Sequence, residues 1–172
     1  MSPTHNTLSG NIPAPYLELL NKHLAAAIAR HAQVTQVHWD VREPGFIAIH
    51  ELFDKVAAKV ENYSVPIAES AGGPGGPAHG ASSRGGALVP VADRLGIADE
   101  HQHVFAVSGT LAAFGQSVRE AIGQATSFGD ADTTNLFTEI SRGVDQHLGS
   151  SNLIWLQNEQ NPAFSGPATK RP

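Results

Sequence analysis

The fold is decided by residues 71–86, AGGPGGPAHGASSRGG, near the middle of the 172-residue chain. This segment contains seven glycines and two prolines and almost no apolar side chain. Glycine and proline at this density interrupt regular structure, and a segment without apolar side chains has little to bury. We therefore expect a surface loop that separates the helices before it from the helices after it.

Two amphipathic helices are predicted before the loop. From Pro15 to Val37, apolar positions recur in steps of three and four residues, which is the period of a helix with one buried face. That face carries Leu17, Leu20, Leu24, Ala27, Ile28, His31 and Val34. Residues 42–45, REPG, then turn the chain, and the same period predicts a second helix from about residue 46 to about residue 69.

Two further helices are predicted after the loop. Asp93 and Asp99 are of the residue type that caps helices, and apolar positions repeat from Val104 to Ile122 in a third helix. Residues 128–130, FGD, are expected to end this helix and reopen the chain.

The fourth helix is expected to begin with a cap at Asp130 or Asp132. Its apolar face carries Leu136, Ile140, Val144, His147 and Leu148. Residues 149–152, GSSN, are expected to interrupt it before a last turn at 153–157.

The predicted fold class is therefore all-α. Four helices in two hairpin pairs, with a long connection between helices 2 and 3, form the ferritin-like arrangement of a four-helix bundle. We expect an N-terminal tail at residues 1–14, the bundle at 15–157 and a flexible C-terminal tail at 158–172, which is rich in Pro, Gly, Ser and Ala.

The composition excludes several classes of function. Because the chain has no cysteine, disulfide scaffolds, zinc fingers and iron–sulfur clusters are excluded. A net charge of −5 has the wrong sign for a folded body that neutralises phosphates. No apolar run approaches the roughly 18 residues of a membrane span, and residues 1–21 lack the basic start of a secretory signal. We expect a cytoplasmic protein that does not associate with membranes.

Nine histidines and no cysteine mean that any metal would be held by nitrogen and oxygen. His38 closes the first helix, and His50, Asp54 and Glu69 share one face of the second at about 100° per residue. Asp54 and Glu69 are 15 residues apart, about 22 Å along a helix. Two copies of this helix, antiparallel about a two-fold axis, would bring the opposite ends together. A His/Asp pair also arises by chance in amphipathic helices, so spacing alone leaves the metal site undecided.

A resemblance to a known family favours the metal site. Residues 38–42, HWDVR, and 45–54, GFIAIHELFD, resemble the HWN-x-x-G-x-x-F-x-x-x-H-E-x-x-D run of the Dps family, the DNA-binding proteins from starved cells. The likeness continues in IAE at 67–69, in AFGQSVR at 113–119 and through 129–143. It covers roughly residues 15–148.

The resemblance implies a hollow dodecamer, built from two-fold dimers, that oxidises Fe(II), preferably with hydrogen peroxide, and stores the ferric product. It implies two irons in each intersubunit centre. His38 would bind one iron, His50 and Asp54 the second, and Glu69 of the partner subunit would bridge them. Trp39 would be the nearby aromatic side chain that can take up an oxidising equivalent.

Two departures from the family pattern lead to an alternative. Val65 stands where the family has an Asp four residues before the bridging Glu, and an apolar side chain donates no lone pair to a metal. Pro66 follows inside the predicted helix, where it removes a backbone hydrogen bond; Glu61, one turn earlier, could substitute for the missing carboxylate. The alternative is a structural dodecameric shell or weak DNA compactor with an impaired ferroxidase centre.

DNA binding is expected to be weak or absent even with the family resemblance. In relatives that bind DNA, tails rich in Lys and Arg do so, whereas the final tail here offers Lys170 and Arg171 alone. Two charges against a negative body predict weak, salt-dependent binding.

Several other polar residues admit a structural interpretation. Glu100 and His103 are expected to lie on the surface at a helix start, and His23 and His31 to pack or face solvent. Asp130, Asp132 and Asp145 could line a cation-attracting pore, or they could belong to a capped, solvated helix terminus.

Overall fold

The computed structural model describes residues 13–40, 47–73, 76–80 and 100–159. They form four helices: α1 (Ala14–Asp40), α2 (Ile47–Gly72), α3 (Glu100–Ser127) and α4 (Ala131–Glu159). No strand occurs in these ranges. The prediction of an all-α chain with four long helices is confirmed.

The four helices enclose one apolar core. α1 packs against α2 and α3, and α4 packs against α3 and α2, so each helix has two neighbours in a square arrangement. The largest fully buried side chains are Phe53, Phe137, Leu20, Ile49, Ile67, Leu111 and Ile140. Burial of each such side chain contributes about 1.5–3 kcal/mol, so the shared core holds the two hairpins together.

The turn between α3 and α4 agrees with the sequence. Gly129 has a φ of 74°, a left-handed conformation that glycine adopts without strain and that commonly ends a helix. Asp130 then caps α4, because its Oδ1 accepts the backbone N–H groups of Asp132 at 3.0 Å and Thr133 at 3.3 Å. The Tyr16 hydroxyl donates to Asp130 Oδ2 at 2.6 Å, which ties the start of α1 to the same cap.

The predicted interruption of the fourth helix is wrong. α4 continues through residues 149–152 to Glu159. Gly costs a helix about 1 kcal/mol relative to Ala, and Ser less, so these residues weaken a helix without ending it. α2 likewise passes through Pro66 to Gly72.

The beginning of the long loop lies against α1. Asn21 Nδ2 donates to the carbonyl of Pro77 at 3.2 Å, and the His79 N–H donates to Asn21 Oδ1 at 2.7 Å. The predictions for the turn at residues 42–45, for the loop after residue 80, for the caps at Asp93 and Asp99 and for the two chain termini lie outside the described residues. None of the helices carries an apolar stretch of the length that a bilayer crossing requires, within the part of the chain described.

Candidate metal centre

Three of the four predicted site residues lie together where α1 ends and α2 begins. His38 Nδ1 is 3.2 Å from Asp54 Oδ1. The His38 ring also meets the His50 ring edge to face, with centroids 4.8 Å apart and an interplanar angle of 70°. Two imidazoles and one carboxylate therefore form a cluster at one end of the α1/α2 hairpin.

The antiparallel packing of α1 and α2 explains this placement. His38 lies in the last turn of α1, and His50 and Asp54 lie in the first two turns of α2. One helical turn separates His50 from Asp54, so both side chains point to the same side of α2. His31 fixes the register of the two helices, because its Nδ1 lies 3.1 Å from the carbonyl oxygen of Ala57.

The cluster is open to solvent. The side chain of His38 is 27% exposed and that of Asp54 is 65% exposed, so a metal ion can reach the donors without rearrangement of the core. The three side chains do not converge on one point: within the described ranges, no group of three or more His, Cys, Asp or Glu side chains is placed to hold a metal ion.

The fourth predicted residue, Glu69, does not join the cluster within one chain. α2 is one helix from Ile47 to Gly72, so the 15 residues between Asp54 and Glu69 keep them about 22 Å apart. Glu61 and Glu69 are both exposed. Between them, Val65 is 58% exposed and supplies no donor atom.

Apolar side chains are exposed on the same side of the α1/α2 hairpin. Trp39 is 67% exposed, and Ile28, which the sequence pattern placed on the buried face, is 42% exposed. Eleven residues, or three turns, separate Ile28 from Trp39 in α1 and Asp54 from Val65 in α2, so each pair lies on one stripe of its helix. Large apolar side chains left in solvent beside polar donors are typical of a surface that another molecule covers.

The remaining polar residues have structural roles that the sequence predicted only in part. His103, expected on the surface, is buried at 6% exposure. His23 is fully buried and lies 2.8 Å from the Leu19 carbonyl through Nδ1. Asp145 pairs with Arg119, and a helix that places it 15 residues from Asp130 keeps it about 22 Å from the capped terminus. Asp130 forms the helix cap that the structural interpretation predicted.

The resemblance of residues 38–54 to the Dps pattern, rather than spacing alone, is what predicted His38, His50 and Asp54. Nothing in the sequence indicated the surroundings of Tyr63. The Tyr63 hydroxyl is buried in the described structure and has no hydrogen-bond partner there. Burial raises the pKa of Tyr63 to about 12, so the hydroxyl stays protonated at neutral pH.

Comparisons with known proteins agree with this architecture. Residues 17–150 match the model of the ferritin-like domain family. The chain is 31% identical over 146 residues to a DNA protection during starvation protein of Agrobacterium fabrum, covering 84% of this chain and 90% of that one. A protein of the same name from Mycolicibacterium smegmatis is 34% identical over 62 residues, which cover 36% of this chain and 34% of that one.

Solved structures show the same fold. The structure of Dps from Microbacterium arborescens in the high iron form superposes with a TM-score of 0.73 at 25% identity, covering 91% of this chain and 99% of that one. An archaeal Dps homologue from Halobacterium salinarum superposes with a TM-score of 0.69 at 20% identity, covering 82% of this chain and 79% of that one.

Proposed function

This chain belongs to the Dps family of ferritin-like proteins, and we propose that it oxidises Fe(II) and stores the ferric product inside an assembly of identical copies. The contact of His38 with both His50 and Asp54 is the observation that carries this proposal. Imidazole nitrogen and carboxylate oxygen are ligands that suit iron. The relative from Microbacterium arborescens has a structure in a high iron form.

The complete centre would require a second copy of the chain. His38, His50 and Asp54 lie at one end of α2, and Glu69 lies about 22 Å away at the other. A two-fold axis that sets two α2 helices antiparallel would bring Glu69 of the partner subunit to the His38 cluster. The exposed Trp39 and Val65 would then be covered by the partner, which supports this arrangement.

The assembled centre would hold two irons, as proposed from the family pattern. His38 would bind one, His50 and Asp54 the second, and Glu69 of the partner subunit would bridge them. Each Fe(II) loses one electron, and one hydrogen peroxide takes up both electrons and two protons, so its O–O bond breaks and two waters form. Trp39, beside the cluster and exposed in the single chain, would accept an oxidising equivalent that escapes the irons.

Twelve copies in a hollow shell and a cytoplasmic location belong to the same proposal. The net charge of −5 predicts that any DNA binding by the shell is weak and declines steeply with salt.

The proposal is tested by mixing iron-free protein with Fe(II) and a stoichiometric amount of hydrogen peroxide. The rate of ferric absorbance in the wild type should exceed that of the His50→Ala/Asp54→Ala variant at least tenfold. His79→Ala removes an imidazole from an exposed loop position and is the matched control, with a rate equal to that of the wild type. Equal rates in the wild type and the double variant would contradict the proposal.

A second candidate function is a shell whose ferroxidase centre is impaired. Val65 favours it, because an exposed valine on the face between Glu61 and Glu69 leaves the His38 iron with no carboxylate besides the bridging Glu69. Val65→Asp should then accelerate oxidation several-fold in the same assay, with Val65→Asn as the uncharged control. Wild-type oxidation that is already abolished by His50→Ala/Asp54→Ala and is unchanged by Val65→Asp would reject the impaired shell.

A further inference from the structure

A cavity of about 380 Å³ lies between α2 and α4, on a different side of α2 from the His38 cluster. Its walls include Lys59, Tyr63 and Pro66 from α2 and Glu139 and Arg142 from α4. We propose that this cavity, called here the α2/α4 cavity, binds a small phosphate group. The proposal is independent of iron oxidation, because none of the cavity residues belongs to the candidate metal centre.

The Tyr63 hydroxyl is the first observation that points to a ligand. Tyr63 is 6% exposed, and its hydroxyl oxygen is buried without a hydrogen-bond partner in the described structure. A buried hydroxyl without a partner destabilises the folded state. The side chain lines the cavity and its hydroxyl lies against Gly143, so a small shift of the ring would present the proton to an acceptor oxygen bound there.

Gly143 holds the ring in this position. A β-carbon at residue 143 would overlap the Tyr63 hydroxyl, so the absence of a side chain at Gly143 leaves the space that the hydroxyl occupies. Gly143 itself lines the cavity. The polar end of the ring therefore lies beside Gly143, next to the cavity.

Two cationic side chains give the cavity its preference for an anion. Lys59 and Arg142 line it from opposite helices, and neither forms an ion pair with a carboxylate in the described part of the chain. A guanidinium binds phosphate oxygens with two parallel hydrogen bonds, and an ammonium adds a compact charge. An oxyanion between them would join α2 to α4 through charge-assisted hydrogen bonds.

Two acceptors in the same cavity favour phosphate over sulfate. Pro66 has no N–H, so the carbonyl of Asn62, one turn earlier, lacks its usual helical donor, and both residues line the cavity. Glu139 adds a carboxylate. Near neutral pH, phosphate keeps a proton that it can donate to such an acceptor, whereas sulfate carries none and would be repelled by the carboxylate.

The first experiment titrates the iron-free, assembled protein with inorganic phosphate while chloride keeps the ionic strength constant. The thermal unfolding midpoint should rise to a plateau, and the ³¹P resonance of phosphate should broaden at substoichiometric protein. Sulfate should require at least a tenfold higher concentration for the same rise. A third titration uses glycerol 3-phosphate, to distinguish free phosphate from a phosphate monoester. The ligand that reaches half-saturation at the lower concentration identifies the source of the phosphate group. Saturation by either ligand supports the site.

Arg142→Gln tests the cation. This variant should raise the phosphate concentration at half-saturation at least tenfold, because it removes a charged donor. Lys22→Gln removes one positive charge from the exposed surface of α1 and is the charge-matched control, for which half-saturation should stay within twofold of the wild type.

Tyr63→Phe removes the hydroxyl and keeps the ring that packs in the core. Without phosphate, this variant should be at least as stable as the wild type, because it removes a buried hydroxyl that has no partner. In saturating phosphate the wild type should become the more stable of the two. The proposal is overturned if phosphate and sulfate stabilise equally, if no plateau is reached, or if Arg142→Gln and Lys22→Gln respond alike.

Discussion

At the scale of single residues, two glycines and one aspartate determine where helices end, begin and pack closely. Gly129 takes up the left-handed conformation that ends α3, Asp130 caps α4, and Gly143 accommodates the Tyr63 hydroxyl. Gly129 and Asp130 set the turn between α3 and α4, and Gly143 sets how closely α2 and α4 pack.

Gly143→Ala should lower the free energy of unfolding by about 1–3 kcal/mol, because a methyl group forced against a buried ring overpacks the interface. Urea unfolding at fixed protein concentration measures this. Gly149→Ala in the same helix is the control: nothing lies within 4 Å of a β-carbon there, so Ala should stabilise the protein by up to about 1 kcal/mol. The same sign for both variants would contradict this account of Tyr63.

Asp130→Ala should lower the free energy of unfolding by about 1 kcal/mol through loss of the cap, and more because the Tyr16 hydroxyl loses its acceptor. Burial acts to raise the pKa of Asp130, but hydrogen bonds from Tyr16, Thr133 and Asp132 hold that pKa below its ordinary value of 3.8. The carboxylate therefore stabilises the fold above pH 3.8, and this stabilisation is lost as the pH falls below that value.

Urea unfolding of the wild type and Asp130→Ala between pH 3 and pH 7 tests this prediction. The difference in stability should be constant from pH 5 to pH 7 and should shrink at the acid end. If the difference in unfolding free energy between the wild type and Asp130→Ala grows below pH 3.8, the stabilisation does not come from the Asp130 carboxylate.

At the scale of helices, tertiary packing overrides weak local signals. Pro66 and residues 149–152 are sequence features that interrupt isolated helices, yet α2 and α4 pass through both. In α2, Tyr63 and Ile67 on either side of Pro66 are buried in the common core. Burial of the two side chains contributes about 1.5–3 kcal/mol each, which together exceeds the roughly 3 kcal/mol that a proline costs a helix.

The contact between α1 and α3 depends on an uncharged histidine. His23 is buried at 1% exposure. Its Nε2 lies 3.2 Å from both the backbone carbonyl oxygen and the Oγ of Ser117. Burial lowers the pKa of His23 below its ordinary 6.5. The unfolded chain therefore binds a proton at a higher pH than the folded chain does, so stability is retained above pH 6.5 and declines as the pH falls below it.

His23→Gln should therefore flatten the dependence of unfolding free energy on pH between 7 and 5, although its stability at pH 7 is lower. The readout is the slope of urea-unfolding free energy against pH. His79→Gln, at an exposed position, should keep the wild-type slope; a wild-type slope in His23→Gln would assign the effect to other histidines.

At the scale of the whole molecule, a single chain does not bring together all the residues predicted for the metal centre. The donors of the candidate metal centre lie at one end of α2 and Glu69 at the other, while Trp39 and Val65 are exposed beside them. The proposed partner subunit on this side of the hairpin would account for both the polar side chains that do not converge and the apolar side chains that are exposed.

Trp39→Glu should weaken the assembly, because it introduces a charge into a surface that the proposed dimer buries. Native mass spectrometry over a tenfold range of dilution should show dimers and smaller species where the wild type keeps its full size. Gln124→Glu adds the same charge at an exposed position of α3 and should not change the mass distribution. An unchanged distribution in Trp39→Glu would place the interface elsewhere.

The number, type and approximate limits of the helices could be predicted from the sequence alone, because the period of apolar residues is a local property that each helix expresses separately. Spacing left the metal site undecided, and the resemblance of residues 38–54 to the Dps pattern is what predicted His38, His50 and Asp54 as donors. The contact of His38 with Asp54, the exposure of Ile28 and the continuation of α4 past residue 152 required the tertiary structure, because no local pattern records contacts across the bundle. The α2/α4 cavity likewise could not be predicted from the sequence, because Tyr63 and the pair Arg142 and Gly143 come from helices far apart in sequence and share no local pattern.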